Sequence, residues 1–295
     1  MPTLTTTANA VQRRALIISA GGSRGAFAVG AIRALEEKGM LNFALVAGSS
    51  TGALIAPLVA INDIATLRRV YTSTSTKQVI RKRCLLWAVL FGNSLYDTRP
   101  LKRLIDTFLP DQAAEAVLKS PMRVALACTQ LQTGEVVFFS NRAAEHDTLR
   151  DRIIPLTSPE MLRTAMLASC NQPILMPPIT IGDRQYMDGG IRDISPVEVA
   201  LLEGIRDITV INLSPEKTAP DEREFTKLLP IMGRALRLMI SEIGEGDLEK
   251  ARLAGARLTI IRPQAELNKD PMVFDPREMQ AMMELGYAAA NHTAA

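Results

Sequence analysis

The chain has 295 residues, 47% of them apolar, with 34 basic against 31 acidic side chains for a net charge of +3. So even a balance gives no support to a nucleic-acid role, whose electrostatic footprint is a clustered basic excess. The apolar share is ample for a core and no Pro-, Ser- or charge-rich linker interrupts it, so the length fits one large α/β domain.

Residues 1–12 read as a flexible N-terminal segment. The first fourteen residues carry no apolar h-region of a signal peptide, and the expectation is a cytoplasmic chain. A buried strand over Leu16–Ser19 then runs into Gly21-Gly22-Ser23-Arg24-Gly25 and a helical stretch to Leu35. A glycine-rich turn that opens a helix gathers free backbone N–H groups at the helix N-terminus, where they bind negative charge. A dinucleotide fingerprint fails here because Ala20 stands in place of its first glycine, and no G-x-x-x-x-G-K-[ST] phosphate loop occurs. An oxyanion hole made by the N–H groups of Gly21, Gly22, Ser23 and Arg24 is the reading that survives.

The next strand, Ala44–Ala47, enters Gly48-Ser49-Ser50-Thr51-Gly52 and then the apolar run Ala53-Leu54-Ile55-Ala56. Strand, G-x-S-x-G turn and helix make a nucleophile elbow, which places the Ser50 hydroxyl above the sheet. Further on, the basic Arg81-Lys82-Arg83 precedes the apolar run Leu85–Phe91, which holds Trp87, the only tryptophan. Seven apolar residues are too short to span a bilayer, which takes about 20. Two readings stand side by side: an interfacial segment on anionic headgroups that serves as a lid or access flap, and a core helix with a solvated basic start.

Strands follow at Val124–Cys128 and Val136–Phe139. The two histidines, His146 in a polar stretch and His292 near the C-terminus, are both poorly fixed for general-base work. If Ser50 is a nucleophile, its base is a carboxylate. Asp188, in Tyr186-Met187-Asp188-Gly189-Gly190 after the strand-like Ile179–Ile181, is the one in a suitable setting, although the same pattern fits a loop aspartate bonded to its own backbone. Strands at Ile208–Leu213 and Leu258–Ile261 complete an alternation of strands and helices that predicts a mostly parallel central sheet flanked by helices. Residues 228–240 read as an amphipathic, core-facing helix, and residues 289–295 as a disordered tail.

The ordered set Gly21–Gly25, Gly48–Gly52 and Asp188-Gly189-Gly190 resembles the patatin-like phospholipase family. So do the Ala-Ser-rich block Ala165–Pro178 ahead of the aspartate, Leu95–Leu101, and the late Gly286-Tyr287. The similarity covers residues 13–288. Departures are Ala20, where the family often has glycine, and Ile191–Pro196, which lacks an asparagine common in members. The resemblance implies a three-layer patatin-type α/β fold and a Ser50–Asp188 dyad acting on fatty-acyl esters of lipids. An acyltransferase or general carboxylesterase would use the same dyad, and a membrane-associated protein without turnover is a third reading. Cys84, Cys128 and Cys170 are scattered and read as structural thiols of a reducing compartment. No metal motif and no cofactor is expected.

Overall fold

The structure is a computed structural model that describes residues 13–84, 92–144, 151–217 and 220–293. Trp87, His146 and residues 1–12 lie outside the described residues.

In chain order, β1 (Arg14–Ile18) leads through a 3₁₀ turn (Gly22–Arg24) into α1 (Gly25–Glu37) and β2 (Leu45–Ser49). Next come α2 (Thr51–Ala60), α3 (Ile64–Ser73), α4 (Thr76–Val79), β3 (Arg81–Lys82), β4 (Tyr96–Asp97), α5 (Arg99–Phe108) and α6 (Asp111–Leu118). The middle of the chain forms β5 (Arg123–Gln130), β6 (Val136–Ser140), β7 (Ile153–Pro155), α7 (Pro159–Cys170), β8 (Ile179–Ile181) and β9 (Arg184–Asp188). A second 3₁₀ turn (Gly189–Ile191) is followed by α8 (Val197–Leu202), β10 (Asp207–Ile211), α9 (Leu228–Leu253), β11 (Arg257–Ile261) and α10 (Pro276–Thr293).

The sheet runs β11-β10-β1-β2-β5-β6-β7, parallel from β11 to β5 and antiparallel between β5 and β6. The strands expected from the sequence appear as β1, β2, β5, β6, β10 and β11. Side chains alternate across each strand, so Leu16 and Ile18 enter one core while Ala15 and Ile17 enter the other. The larger core packs under α1, α2, α3, α5, α7 and α10, the smaller under α8 and the second half of α9. Both faces of the sheet are therefore covered, which explains the near-continuous apolar runs of its parallel strands.

One register decides where the site lies. On the edge of β5 away from β6, Ser49 of β2 pairs with Ala127, and Asp188 of β9 pairs with the next residue, Cys128. β9 takes over the lane where β2 stops, so the end of one strand meets the end of the other.

Three expectations change. Residues 228–240 are helical, but among their described side chains the large apolar ones turn outward: Ile231, Leu236, Leu238, Met239 and Ile240 are exposed, with Met239 at 60%. Gly233, Arg234, Arg237 and Ser241 are the half-buried positions, and only the later Leu248 and Ala251 reach the core. Arg81 and Lys82 begin no helix; they form β3, paired to β4, with Arg81 bridged to Asp97 at 3.1 Å. The tail is helical through Thr293, because Ala290 is fully buried and its carbonyl accepts a hydrogen bond from Lys38.

Candidate active site

Ser50 joins β2 to α2 with φ 53° and ψ −120°, a strained conformation for a residue with a Cβ. The turn around it is enforced by close packing. A Cβ on Gly48 would lie 2.2 Å from the Gly52 carbonyl, and one on Gly52 would lie 2.2 Å from the Ile18 carbonyl oxygen of β1. Only glycine lets the strand fold back this tightly. The Ser50 backbone N–H donates to Ser169 Oγ at 3.0 Å, and Ser169 Oγ donates to the Ala127 carbonyl at 2.6 Å. Cys170 Sγ donates to the Ser50 carbonyl at 3.2 Å. The elbow is thus tied to α7 and β5, and Ser169 is a supporting residue whose part the sequence marked only as membership of an Ala-Ser-rich block.

Asp188 ends β9 with 4% exposure. Its carboxylate accepts the Gly190 N–H at 2.8 Å across the Gly189-Gly190 turn, and the nearby Ser50 hydroxyl also favours its ionised form. Burial outweighs both and pushes the Asp188 carboxyl up to about 6. Desolvation thus makes Asp188 a better proton acceptor than an ordinary carboxylate. The loop-aspartate reading is also partly realised, since the Gly190 contact is an aspartate bonded to its own turn.

The glycine loop narrows the expected set of oxyanion donors. Ser23 N–H donates to the Pro271 carbonyl at 2.9 Å and Arg24 N–H to the Gly21 carbonyl at 3.2 Å, so both are engaged. The N–H groups of Gly21 and Gly22 have no protein acceptor among the described residues. Thr51, the first residue of α2, supplies another helix-head donor that the sequence reading did not single out. The Arg24 side chain is a brace: its Nε and Nη2 donate to Asn268 Oδ1 at 2.9 Å and to the Asn268 carbonyl at 2.7 Å. Asn268 in turn donates to Ser23 Oγ at 3.0 Å. Burial lowers the Arg24 pKa, partly offset by Glu266 and Asp270. Gly25 opens α1 against Thr51, whose hydroxyl pairs with Tyr71.

Ser50, Gly22 and Thr51 line one wall of an apolar pocket of about 700 Å³, mouth included. Leu54 and Leu58 of α2, Leu101 and Phe108 of α5, and Met176 and Met279 supply much of the rest. The lining is predominantly apolar and suits a hydrocarbon chain. Leu101 reaches it because Asp97 caps α5, accepting from the Arg99 backbone and side chain at about 3 Å. His292 sits exposed in the last turn of α10, and Cys84 is exposed while Cys128 and Cys170 are buried. Burial raises both buried thiols well above the ordinary cysteine range, so they stay protonated and unreactive. No group of three or more metal-ligating side chains occurs among the described residues.

A family model for patatin-like phospholipases matches residues 16–201, which holds the glycine loop, the elbow and the Asp188 turn. The chain belongs to the patatin-like phospholipase family. Among solved structures it is similar to VipD from Legionella pneumophila (14% identity, TM-score 0.48, covering 96% of this chain and 66% of that one). It is similar to human GIVD cytosolic phospholipase A2 in complex with methyl gamma-linolenyl fluorophosphonate (11%, 0.45, 95% and 57%). A third is full-length ExoU from the type III secretion system of Pseudomonas aeruginosa (14%, 0.40, 96% and 52%). The chain spans between about half and two thirds of the length of these proteins.

Proposed function

We propose that this patatin-like chain is a serine acyl hydrolase that cleaves fatty-acyl esters of lipids, of phospholipase A or lysophospholipase type. The observation that carries the reading is a strained Ser50 set beside the buried Asp188 carboxylate, where two strand ends meet at the wall of an apolar pocket. Asp188 accepts the Ser50 proton as the Ser50 oxygen attacks the ester carbonyl carbon. The oxyanion that forms is met by the free N–H groups of Gly21, Gly22 and Thr51, and each such donor is worth about 2.7–4 kcal/mol. Collapse of the intermediate expels the alcohol, which takes the proton back from Asp188. Water then attacks the acyl-enzyme with Asp188 again as base, releasing the fatty acid and restoring Ser50. An alcohol in place of that water gives acyl transfer through the same intermediate.

Peripheral contact with anionic membrane is the second part of the proposal. Its supports are the exposed Arg81-Lys82 pair of β3 and the exposed apolar residues Ile231, Leu236, Leu238, Met239 and Ile240 of α9. No helix among the described residues is long and apolar enough to cross a membrane.

A fluorophosphonate probe tests the chemistry directly. The wild-type protein should be labelled at Ser50 and Ser50→Ala should not; a wild type as resistant as Ser50→Ala would sink both enzyme readings and leave the non-catalytic one.

A further inference from the structure

Asp247 lies on α9, beyond the residues that the family model matches, yet it reaches into the catalytic end of the sheet. It is 4% exposed, and its Oδ2 accepts the backbone N–H groups of Ile194 at 2.9 Å and Ser195 at 3.2 Å. Those residues belong to the short segment that touches both halves of the site. The Ile194 carbonyl accepts the N–H of Ala20, the residue ahead of Gly21, at 2.9 Å. One residue earlier, Asp193 N–H donates to the Gly189 carbonyl at 2.9 Å, closing the turn that carries Asp188. We infer that Asp247 is a positioning residue: from α9 it fixes the segment 193–195, and through it holds the glycine loop and the Asp188 turn in mutual register. The inference rests on the dyad reading above.

The clamp has a second carboxyl. Asp193 is 5% exposed, lines the same cavity as Asp247, and leaves its Oδ2 without a protein partner. Around the pair stand Lys250 of α9, with Nζ 3.8 Å from Asp247 Oδ1, Glu198 of α8, and Arg152, which is held bidentately by Glu198 at 2.7 and 2.8 Å. Arg192, Arg206 and Glu135 line the same cavity. Burial, joined for Asp193 by the negative charges of Asp247 and Glu198, pushes both carboxyls up, while Lys250 and Arg152 oppose this only in part.

The experiment compares Asp247→Ala and Asp247→Asn with the wild type on a soluble p-nitrophenyl ester, together with hydrogen exchange of the peptides spanning residues 15–25 and 186–200. In Asp247→Ala, kcat should fall about tenfold or more with KM changed less than twofold, and both peptides should exchange faster while β5 and β6 stay protected. Asp247→Asn keeps an oxygen for the two N–H groups and gains an N–H for Asp193. It should restore kcat to within about threefold and return the exchange of both peptides toward the wild-type rate. Unchanged exchange in Asp247→Ala overturns the inference, and so does a kcat within twofold of wild type. If Asp247→Ala does not fold, Asp247→Ser takes its place, and unchanged exchange of the two peptides there overturns it. Exchange needs no turnover, so a wild type that resists the fluorophosphonate probe would sink the hydrolase reading and leave the clamp standing.

Discussion

At the scale of the residue, Asp188 makes activity and stability oppose one another. Its carboxyl is pushed up to about 6 in the folded chain against an ordinary value of 3.8, so the folded state binds the proton more tightly than the unfolded state. Stability from this group is fully present below about pH 4 and is lost as pH rises through about 6, for a total of about 3 kcal/mol. Catalysis runs the other way, because only the ionised form accepts the Ser50 proton. The profile of kcat/KM should therefore rise through about pH 6 and level above it. Asp188→Asn should abolish hydrolysis and yet raise Tm at pH 8 by on the order of 5 °C, since the amide needs no ionisation and still accepts the Gly190 N–H. Activity within about tenfold of wild type would place the base elsewhere, and an unchanged Tm would mean that the buried charge costs less than the direction of its shift implies. The proposed pairing of Ser50 with Asp188 came from the family resemblance; the glycine motifs and the poorly fixed histidines alone left a loop aspartate equally open. The strength of the base was not legible in the sequence, because it comes from burial contributed by distant segments. Ser23 and Arg24 were misjudged as donors for the same reason: the acceptor of the Ser23 N–H, the Pro271 carbonyl, lies far along the chain.

At the scale of the element, the helix that the glycine loop opens is held from behind by the last helix of the chain. α1 and α10 cross so closely that a Cβ on Gly286 would lie 1.9 Å from the Phe27 carbonyl oxygen, and one on Gly30 would lie 1.8 Å from the Met283 carbonyl oxygen. The crossing is latched at its rim by Arg33 over the Tyr287 ring at 4.7 Å and by the Tyr287 hydroxyl, which donates to Glu37 at 2.6 Å. A methyl group directed at main chain has no flexible side chain to displace, so Gly286→Ala should cost about 3 kcal/mol or more. Urea unfolding checks this as a drop in the midpoint at constant slope; an unchanged midpoint would mean that the helices part at little cost. Strand positions were readable because buried parallel strands are short, apolar and β-branched. β3, β4 and β7 escaped because two or three residues carry no period. The inverted face of α9 escaped for a different reason: amphipathic spacing shows that a helix has an apolar side, and only packing tells which way that side points.

For the whole molecule, the outward face of α9 and the basic β3 are two distinct ways of meeting a lipid surface, and salt separates them. Charge on exposed Arg81 and Lys82 acts through the solvent and is screened over about 3 Å at 1 M salt. Burial of Leu236, Met239 and Ile240 in the headgroup region is an apolar effect that salt does not screen. Cosedimentation with vesicles of phosphatidylcholine and phosphatidylglycerol should therefore weaken in two ways. Arg81→Glu with Lys82→Glu should lower binding at low salt and have little effect at 1 M. Leu236→Glu with Met239→Glu should lower it by about tenfold at both, and because these side chains are exposed the circular dichroism melt should not move. Equal loss from both pairs at low salt and none at 1 M would make the contact purely electrostatic and leave the apolar face of α9 without a membrane role. Unchanged sedimentation in both variants would remove the membrane from the proposal altogether. The Ser50 chemistry, which depends on neither surface, would then be read as acting on dispersed esters.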